Sequence, residues 1–337
     1  MINVEYYLTT GQKSFVDFAE AISEATNEPV TVVNNKLQWP SHFAEGTLEF
    51  HELEEGLSLI SADYKLHKEV NFIRKGNISN DYYYMVFNIS NCPLTINKQN
   101  GRIVSLGKDK SKAVLFGSSA MYVSHIAPMK NNFRGINLII HRAWAVKHLL
   151  KKTMPFQTNR LKQFVQHLPM QFSCTLDLNS KNIVEEILNC QLQPEIKKLC
   201  LLGNALRLFA LFSKNIVEDT VENNHIFSDG AMRIMQIKES LENNIESILS
   251  VEEFAKLCHM GKTRFVHLFK TIYGTTYLEM FKEIRLKKAA ELLADGKSIA
   301  TVGHSIGYNN LGYFAKSFKE QYGITPKLYQ KEIMGDK

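Results

Sequence analysis

Residues 314–323 read FAKSFKEQYG, and residues 265–274 have already read FVHLFKTIYG. Phe265, Phe269, Lys270, Tyr273, Gly274 and Thr276 match Phe314, Phe318, Lys319, Tyr322, Gly323 and Thr325 without a gap. At about 100° per residue, Leu268, Phe269 and Ile272 fall on the side of Phe265, while Thr263, Val266, His267 and Lys270 fall opposite. In the second copy Phe314 and Phe318 define the inner side, with Gly312, Ala315, Lys316 and Lys319 opposite. Each copy is therefore expected to be an amphipathic helix, with a Phe pair inside and a cation outside. Each ends at a Gly that can take the left-handed conformation closing a helix.

The preceding residues match as well. SVEEFAKLCHMGKTRF (250–265) opens with Ser250 and Glu253 at capping-box spacing. Ala255 is small enough for two helices to approach, and Gly261 is expected to make the turn. SIATVGHSIGYNNLGYF (298–314) offers Ser298 as a cap, Gly303 as the small residue and Gly307 as the turn. Asn309 or Asn310 caps the next helix. A short helix, a tight turn and a second helix with a polar outer face form a helix-turn-helix, whose second helix enters the DNA major groove. Between the copies, TTYLEMFKEIRLKKAAELLADGK (275–297) starts with another capping box, Thr276 and Glu279, and stops at Gly296. Leu278, Phe281, Ala289, Leu292 and Leu293 supply its apolar stripe. About 20 helical residues span about 30 Å, close to the roughly 34 Å between successive turns of one DNA face.

Charge points the same way. The 337 residues carry a net +6. Residues 250–331 hold 13 Lys+Arg against 7 Asp+Glu, and the remainder holds 27 of each. A basic segment on a neutral chain suggests a polyanionic partner, the alternative being a solvated basic surface. The five cysteines are odd in number and lack a C-x-x-C spacing, which argues against disulfides or a cysteine zinc site and for a reducing, cytoplasmic compartment. MINVEYYLTTGQKSF has no basic region followed by an apolar run, so no signal peptide is expected. LCLLGNALRLFALF (199–212) is short and contains Asn204 and Arg207, which fits a buried helix and no membrane partner. No G-x-S-x-G, phosphate loop, G-x-G-x-x-G or H-E-x-x-H occurs, so no catalytic residue or cofactor is assigned. FGSSA (116–120) lacks the nucleophile-elbow pattern. His42, His51, Glu52, Glu54 and Glu55 lie close in sequence, but without an H-x-H pair no metal site is assigned.

Length predicts two or three domains. Residues 30–140 read as short strands (TLEFHEL, LSLISADY, EVNFI, DYYYMVFNI, KAVLF, MYVS, FRGINLII) between Gly, Asn, Ser and Pro clusters. That spacing suggests a sandwich or a cupin-like barrel. A helix carrying Phe15, Phe18, Ala19 and Ile22 on one face precedes them. After His141 four stretches are helical by period: HRAWAVKHLL, NRLKQFVQHL, KNIVEEILNCQL and EIKKLCLLGNALRLFALFSKNIV. Residues 217–230 read as a polar linker, and residues 231–248 as helical. The expected class is multidomain α+β. A β-rich N-terminal domain (1–216, its helices at about 141–216) and the linker (217–230) precede an all-α domain (231–337). Tyr82–Tyr84 either line an apolar pocket or pack within a strand. Helices in 182–212 form a dimer seam or are buried in their own domain.

Residues 250–329 resemble the DNA-binding domain of the AraC/XylS family of bacterial transcription regulators. The resemblance rests on FAKLCHMGKTRFVHLFKTIYG, then RLKKAAELL, then SIATVGHSIGYNNLGYFAKSFKEQYGITPKLY, of which IGYNNLGYFAKSFKEQYGITP resembles the family signature nearly position by position. Gly261 stands where the family usually has Ser, Gly303 where it has Ala, and Tyr308 where Phe is commoner. The first change weakens the cap of the first reading helix. The resemblance implies two helix-turn-helix units joined by one long helix, with double-stranded DNA as partner. It places base-reading residues at Thr263, Val266 and His267 in the first unit, and at Leu311, Gly312, Ala315 and Lys316 in the second. Lys262, Arg264, Lys270 and Lys319 suit phosphates, which give affinity and salt dependence but little sequence information. Lys316 suits guanine, and Val266 and Ala315 suit thymine methyls. The resemblance further implies an N-terminal domain that binds a small-molecule effector and forms a homodimer, with RNA polymerase as a further partner in activation. Two rival expectations are a DNA-localised enzyme with a catalytic cupin-like N-terminal domain and a non-specific architectural DNA binder.

Overall fold

A computed structural model describes residues 1–8, 11–76, 80–90, 94–97, 103–106, 113–127, 129, 132–149, 170–217, 233–234 and 249–335. The expected helix at 159–168 lies outside them, as do nearly all of the expected linker and of the helix at 231–248. The chain divides into two compact units, Met1–Phe227 with Thr271–Gly274, and Ser228–Lys270 with Thr275–Lys337.

The first unit is β-rich. Its strands are β1 (Ile2–Tyr7), β2 (Thr31–Val33), β3 (Lys36–Gln38), β4 (Ala44–Glu54), β5 (Leu57–Leu66), β6 (Val70–Lys75), β7 (Tyr82–Asn88), β8 (Leu94–Asn97), β9 (Ile103–Leu106), β10 (Val114–Ser118), β11 (Val123–Ala127), β12 (Asn132–His141) and β13 (Gln171–Cys174). They form a sheet of order β1-β6-β11-β8-β9 and a larger one of order β13-β10-β7-β12-β5-β4-β3-β2. Only β1 and β6 pair in parallel among the described strands. Helix α1 (Gly11–Thr26) follows β1, and α2 (Arg142–Leu149), α3 (Leu178–Leu188) and α4 (Pro194–Val217) follow β12. Strands β1 and β13 were not expected. β1 buries fully only Val4, and β13 is four residues long, so neither shows a clear alternation of apolar and polar residues.

The apolar run of β7 has two buried faces to serve. Successive strand residues point to opposite sides, so Tyr83, Met85 and Phe87 face away from Tyr84 and Val86. The first set packs with Leu138 and Ile140 of β12 against Trp144, Ile183, Val184, Leu208 and Phe212 of the three helices. The second set turns toward the smaller sheet, where Tyr84, Leu115 and Ile139 cluster with Ile96 and Val123. Helix α1 buries Phe15, Ala19 and Ile22 as expected, with the Phe15 ring stacked 5.7 Å from Phe50 and Phe18 5.7 Å from Phe72. Each fully buried Phe contributes about 1.5–3 kcal/mol of transfer free energy.

The second unit holds α5 (Val251–Leu257), α6 (Lys262–Tyr273) as far as Lys270, α7 (Tyr277–Ala294), α8 (Ile299–Ser305), α9 (Leu311–Tyr322) and α10 (Pro326–Gly335). Both expected capping boxes are present, at Ser250/Glu253 and Thr276/Glu279. Gly274 and Gly323, equivalent in the repeat, share φ = 77°. The repeat runs on beyond them: Thr276 caps α7, and Thr325 accepts a bond from the Leu328 N–H ahead of α10.

Two local expectations need correction. The left-handed residue of the first turn is His259 (φ 52°), not Gly261, whereas the second turn does use Gly307 (φ 79°). Gly261 instead occupies the cap position of α6, its carbonyl accepting from the Phe265 N–H at 3.0 Å. Leu278 is 58% exposed and lies outside the apolar stripe of α7, which is formed by Tyr277, Met280, Phe281, Leu286, Ala289, Ala290 and Leu293. The first half of α7 packs Tyr277 and Phe281 into an aromatic cluster with Phe254, Phe265 and Phe269. Its second half joins Val302, Ile306, Phe314 and Phe318. Buried Arg285 stands between, its guanidinium 5.6 Å from the Phe281 ring centre and 5.8 Å from that of Tyr308. One helix thus serves as a shared wall for both motifs.

Candidate nucleic-acid interface

The second helix of each motif, α6 and α9, is held by its Phe pair. Phe265, Phe269, Phe314 and Phe318 are almost completely buried, and that fixes which side faces outward. On α6 the residues Lys262, Thr263, Arg264, Val266, His267 and Lys270 are exposed, Val266 by 41%. On α9 Gly312, Lys316 and Lys319 are exposed and Ala315 is half-buried. Leu311 is also half-buried, because its side chain packs over Gly303, where an added Cβ would come within 2.6 Å of Leu311 Cδ2. Gly303 therefore leaves room for Leu311 as well as for helix approach, and Leu311 has less surface to offer a base than its neighbours. Sequence reasoning missed Tyr313, which is 58% exposed at the start of α9 beside Gly312 and Lys316. The signal was available: Tyr313 precedes the buried Phe314 by about 100° on the wheel and so flanks the outer face.

The two helices start differently. The Asn310 side chain accepts from the Tyr313 N–H at 3.0 Å, a full N-cap. Gly261 has no side chain to do the same for α6. Cations cluster at these helices, and some are engaged. Lys262 pairs with Glu252 of α5, which lowers the Glu252 carboxyl below its usual range. Lys282 of α7 pairs with Glu320 of α9 at 2.8 Å, lowering the Glu320 carboxyl, with Lys316 adding to the effect. Among the described residues no ion pair holds Arg264, Lys270, Lys316 or Lys319. This face presents cations of the kind that satisfy phosphates, and between them side chains of different chemistry on α6 and α9.

A second candidate site lies in the first unit. A cavity of about 150 Å³ opens between the inner faces of the two sheets, with Phe15 and Phe18 of α1 in its wall. Tyr84 lines it while Tyr83 packs on the opposite face, so the Tyr82–Tyr84 run does both of the things weighed for it. Among the described residues no three His, Cys, Asp or Glu side chains converge as for a metal ion. His51 lies 3.3 Å from the Ser61 hydroxyl and 3.8 Å from Glu49, and burial pushes its pKa down to about 4.

Residues 254–332 match a helix-turn-helix domain family, and residues 45–225, more than half of the chain, match the regulatory protein PchR N-terminal domain. The MmsAB operon regulatory protein of Pseudomonas aeruginosa is 26% identical over 106 residues, 31% of this chain and 34% of that protein. The RCS-specific HTH-type transcriptional activator RclR of Escherichia coli is 31% identical over 85 residues, 25% of this chain and 30% of that protein. The chain thus spans about a third of the length of these curated relatives. Among solved structures, unsaturated fatty acid-bound ToxT from Vibrio cholerae overlays 85% of this chain and 98% of its own at 15% identity, with a TM-score of 0.38. At that score the overlay carries no weight.

Proposed function

We propose a mechanism that starts from one premise: the chain belongs to the AraC/XylS family of transcription regulators, with an N-terminal domain of the PchR type. It is a sequence-specific DNA-binding regulator acting in the bacterial cytoplasm, and α6 and α9 are its two reading helices. Thr263, Val266 and His267 read one major-groove segment; Gly312, Ala315 and Lys316 read the other, with Tyr313 beside them and Leu311 at the margin. Arg264, Lys270 and Lys319 hold phosphates, and Lys262 does so by exchanging Glu252 for a phosphate. The observation that carries this reading is one scaffold built twice with two different outer faces. Identical Phe pairs and identical closing glycines fix two helices alike, while Thr263, Val266 and His267 share nothing with Gly312, Ala315 and Lys316. A purely architectural binder has no need of that difference.

The cavity of the first unit is the effector site. An effector changes DNA occupancy only if it binds one state of the chain better than another. The partner for a homodimer is a second α4. Ile196, Leu199, Gly203, Leu206 and Ala210 are all exposed on that helix and follow a seven-residue apolar repeat. RNA polymerase is the further partner if the regulator activates. Neither the MmsAB operon regulatory protein nor RclR is named as an enzyme, and no described helix is long and apolar enough to cross a membrane.

Titration of selected and scrambled duplexes tests the assignment. Lys316→Ala should narrow the gap between the two duplexes, as loss of a base contact costs about 1–3 kcal/mol on the preferred site. Lys270→Ala should weaken both alike and reduce the salt slope by about one. Equal shifts by both variants on every sequence would overturn the division into base and phosphate residues.

A further inference from the structure

The cavity between the sheets is walled mainly by apolar side chains, yet it holds an uncompensated charge. Arg74 is 4% exposed and lines it. The alternation of β6 directs Val70, Phe72 and Arg74 inward together. The guanidinium lies 3.5 Å from the centre of the Tyr84 ring. One Nη donates to the Met121 carbonyl at 3.3 Å, and Nε has no hydrogen-bond partner. Among the described residues no carboxylate pairs with it. An arginine does not escape burial by losing its proton, and a buried charge without a counter-ion is strongly unfavourable. Asn137 of β12, on the facing sheet, adds a second orphan to the lining, an Oδ1 with no donor.

The arginine is held by a built support. Tyr84 lies over Gly117, where an added Cβ would come within 2.1 Å of the Tyr84 Oη. Buried Gln171 donates to that Oη at 3.0 Å. The missing side chain at residue 117 and the amide at residue 171 fix the ring, and the ring carries the guanidinium. Such a site suits an anion and repels a cation. A cavity of about 150 Å³ holds a body the size of a benzene ring.

We infer that the cavity binds a small organic acid, one carboxylate on an apolar, ring-sized body. The carboxylate accepts from Arg74, in the charge-assisted manner that favours arginine for this task. The body rests against Phe18, Phe72, Val86 and Ile139, and a hydroxyl or N–H on it would satisfy Asn137. The inference rests on the effector reading of this cavity and adds the class of effector.

The test uses the full chain and four probes: benzoate, 4-hydroxybenzoate, the neutral isostere benzamide, and chloride. Calorimetry should show the two acids binding at least tenfold more tightly than benzamide, with chloride not competing at equal concentration. Arg74→Met should erase the preference for acid over amide. Because that variant removes a buried group, a second readout uses the unaltered chain. His125 lines the same cavity, and burial first and Arg74 second hold its pKa down to about 4. A carboxylate at Arg74 offsets that charge, so the NMR titration of His125 should move up with benzoate and stay in place with benzamide. Equal binding of acid and amide, no acid binding at millimolar concentration, or an unmoved His125 would overturn the inference. Duplex binding in the same samples separates the two readings. DNA binding with no detectable acid binding sinks the acid site alone; acid bound with DNA affinity unchanged upholds the site and sinks its role as effector.

Discussion

Gly261 and Asn310 occupy one place in two copies of a motif, and only Asn310 brings a side chain to it. Asn310→Ala should cost about 1 kcal/mol, and Gly261→Ser should gain a few tenths. Amide exchange of α9 and α6 in the intact chain reads each effect separately. Gly117 has the opposite need, since even a methyl group collides with Tyr84. Gly117→Ala should lose about 1–3 kcal/mol by overpacking, seen as a lower Tm. Two histidines set a pH dependence for the first unit. Burial holds both His51 and His125 near a pKa of about 4, against about 6.5 in an unfolded chain. Below 6.5 the unfolded chain takes up protons that the fold refuses, so stability is full above that pH and falls toward 4. Thermal melts across this window should show the decline, and His125→Gln should flatten it. Capping residues such as Ser250, Thr276 and Asn310 were legible because the chemistry of a cap is local. The left-handed His259 was not, because a residue with a Cβ reaches that conformation only when its surroundings impose it.

At the scale of elements, α6 and α9 were legible from their Phe spacing, whereas α7 was legible in length but not in facing. Leu278 looked apolar enough for the core, yet it is exposed, while Arg285 is buried. The reason is that α7 serves two motifs, and one stripe at a single phase does not describe a helix whose two halves face two cores. Leu278→Gln should therefore change stability by less than about 0.5 kcal/mol. Arg285→Ala should cost the second unit about 1–3 kcal/mol, through lost packing against Phe281 and Tyr308. Chemical denaturation compares them directly. The exposed stripe on α4 belongs to this scale too. Leu199→Glu should shift sedimentation from dimer to monomer and leave circular dichroism unchanged; a dimer that persists removes α4 from the interface. Strands β1 and β13 escaped sequence reading because their place depends on partners distant in the chain, β6 and β10.

Across the whole molecule, the excess of positive charge is confined to residues 250–331, the stretch containing both motifs. That confinement and the repeat make the helix-turn-helix unit legible in the sequence. The cavity was not readable in the same way. Its wall comes from α1 and from strands of both sheets, including β6, β7, β11 and β12, and no short window of sequence holds two of its polar groups in order. Tyr84 was singled out from its aromatic run, but Arg74, His125 and Asn137 were not, since each stands alone in its strand. The central claim is that one scaffold carries two different readers. It is tested most directly by selecting bound sites from random duplexes with the unaltered chain and repeating the selection with Val266→Ala and with Lys316→Ala. The account predicts two unlike half-sites about one helical turn apart, with Val266→Ala relaxing preference in one and Lys316→Ala in the other. Recovery of no preferred sequence, or of two identical half-sites that respond alike to both substitutions, would contradict it.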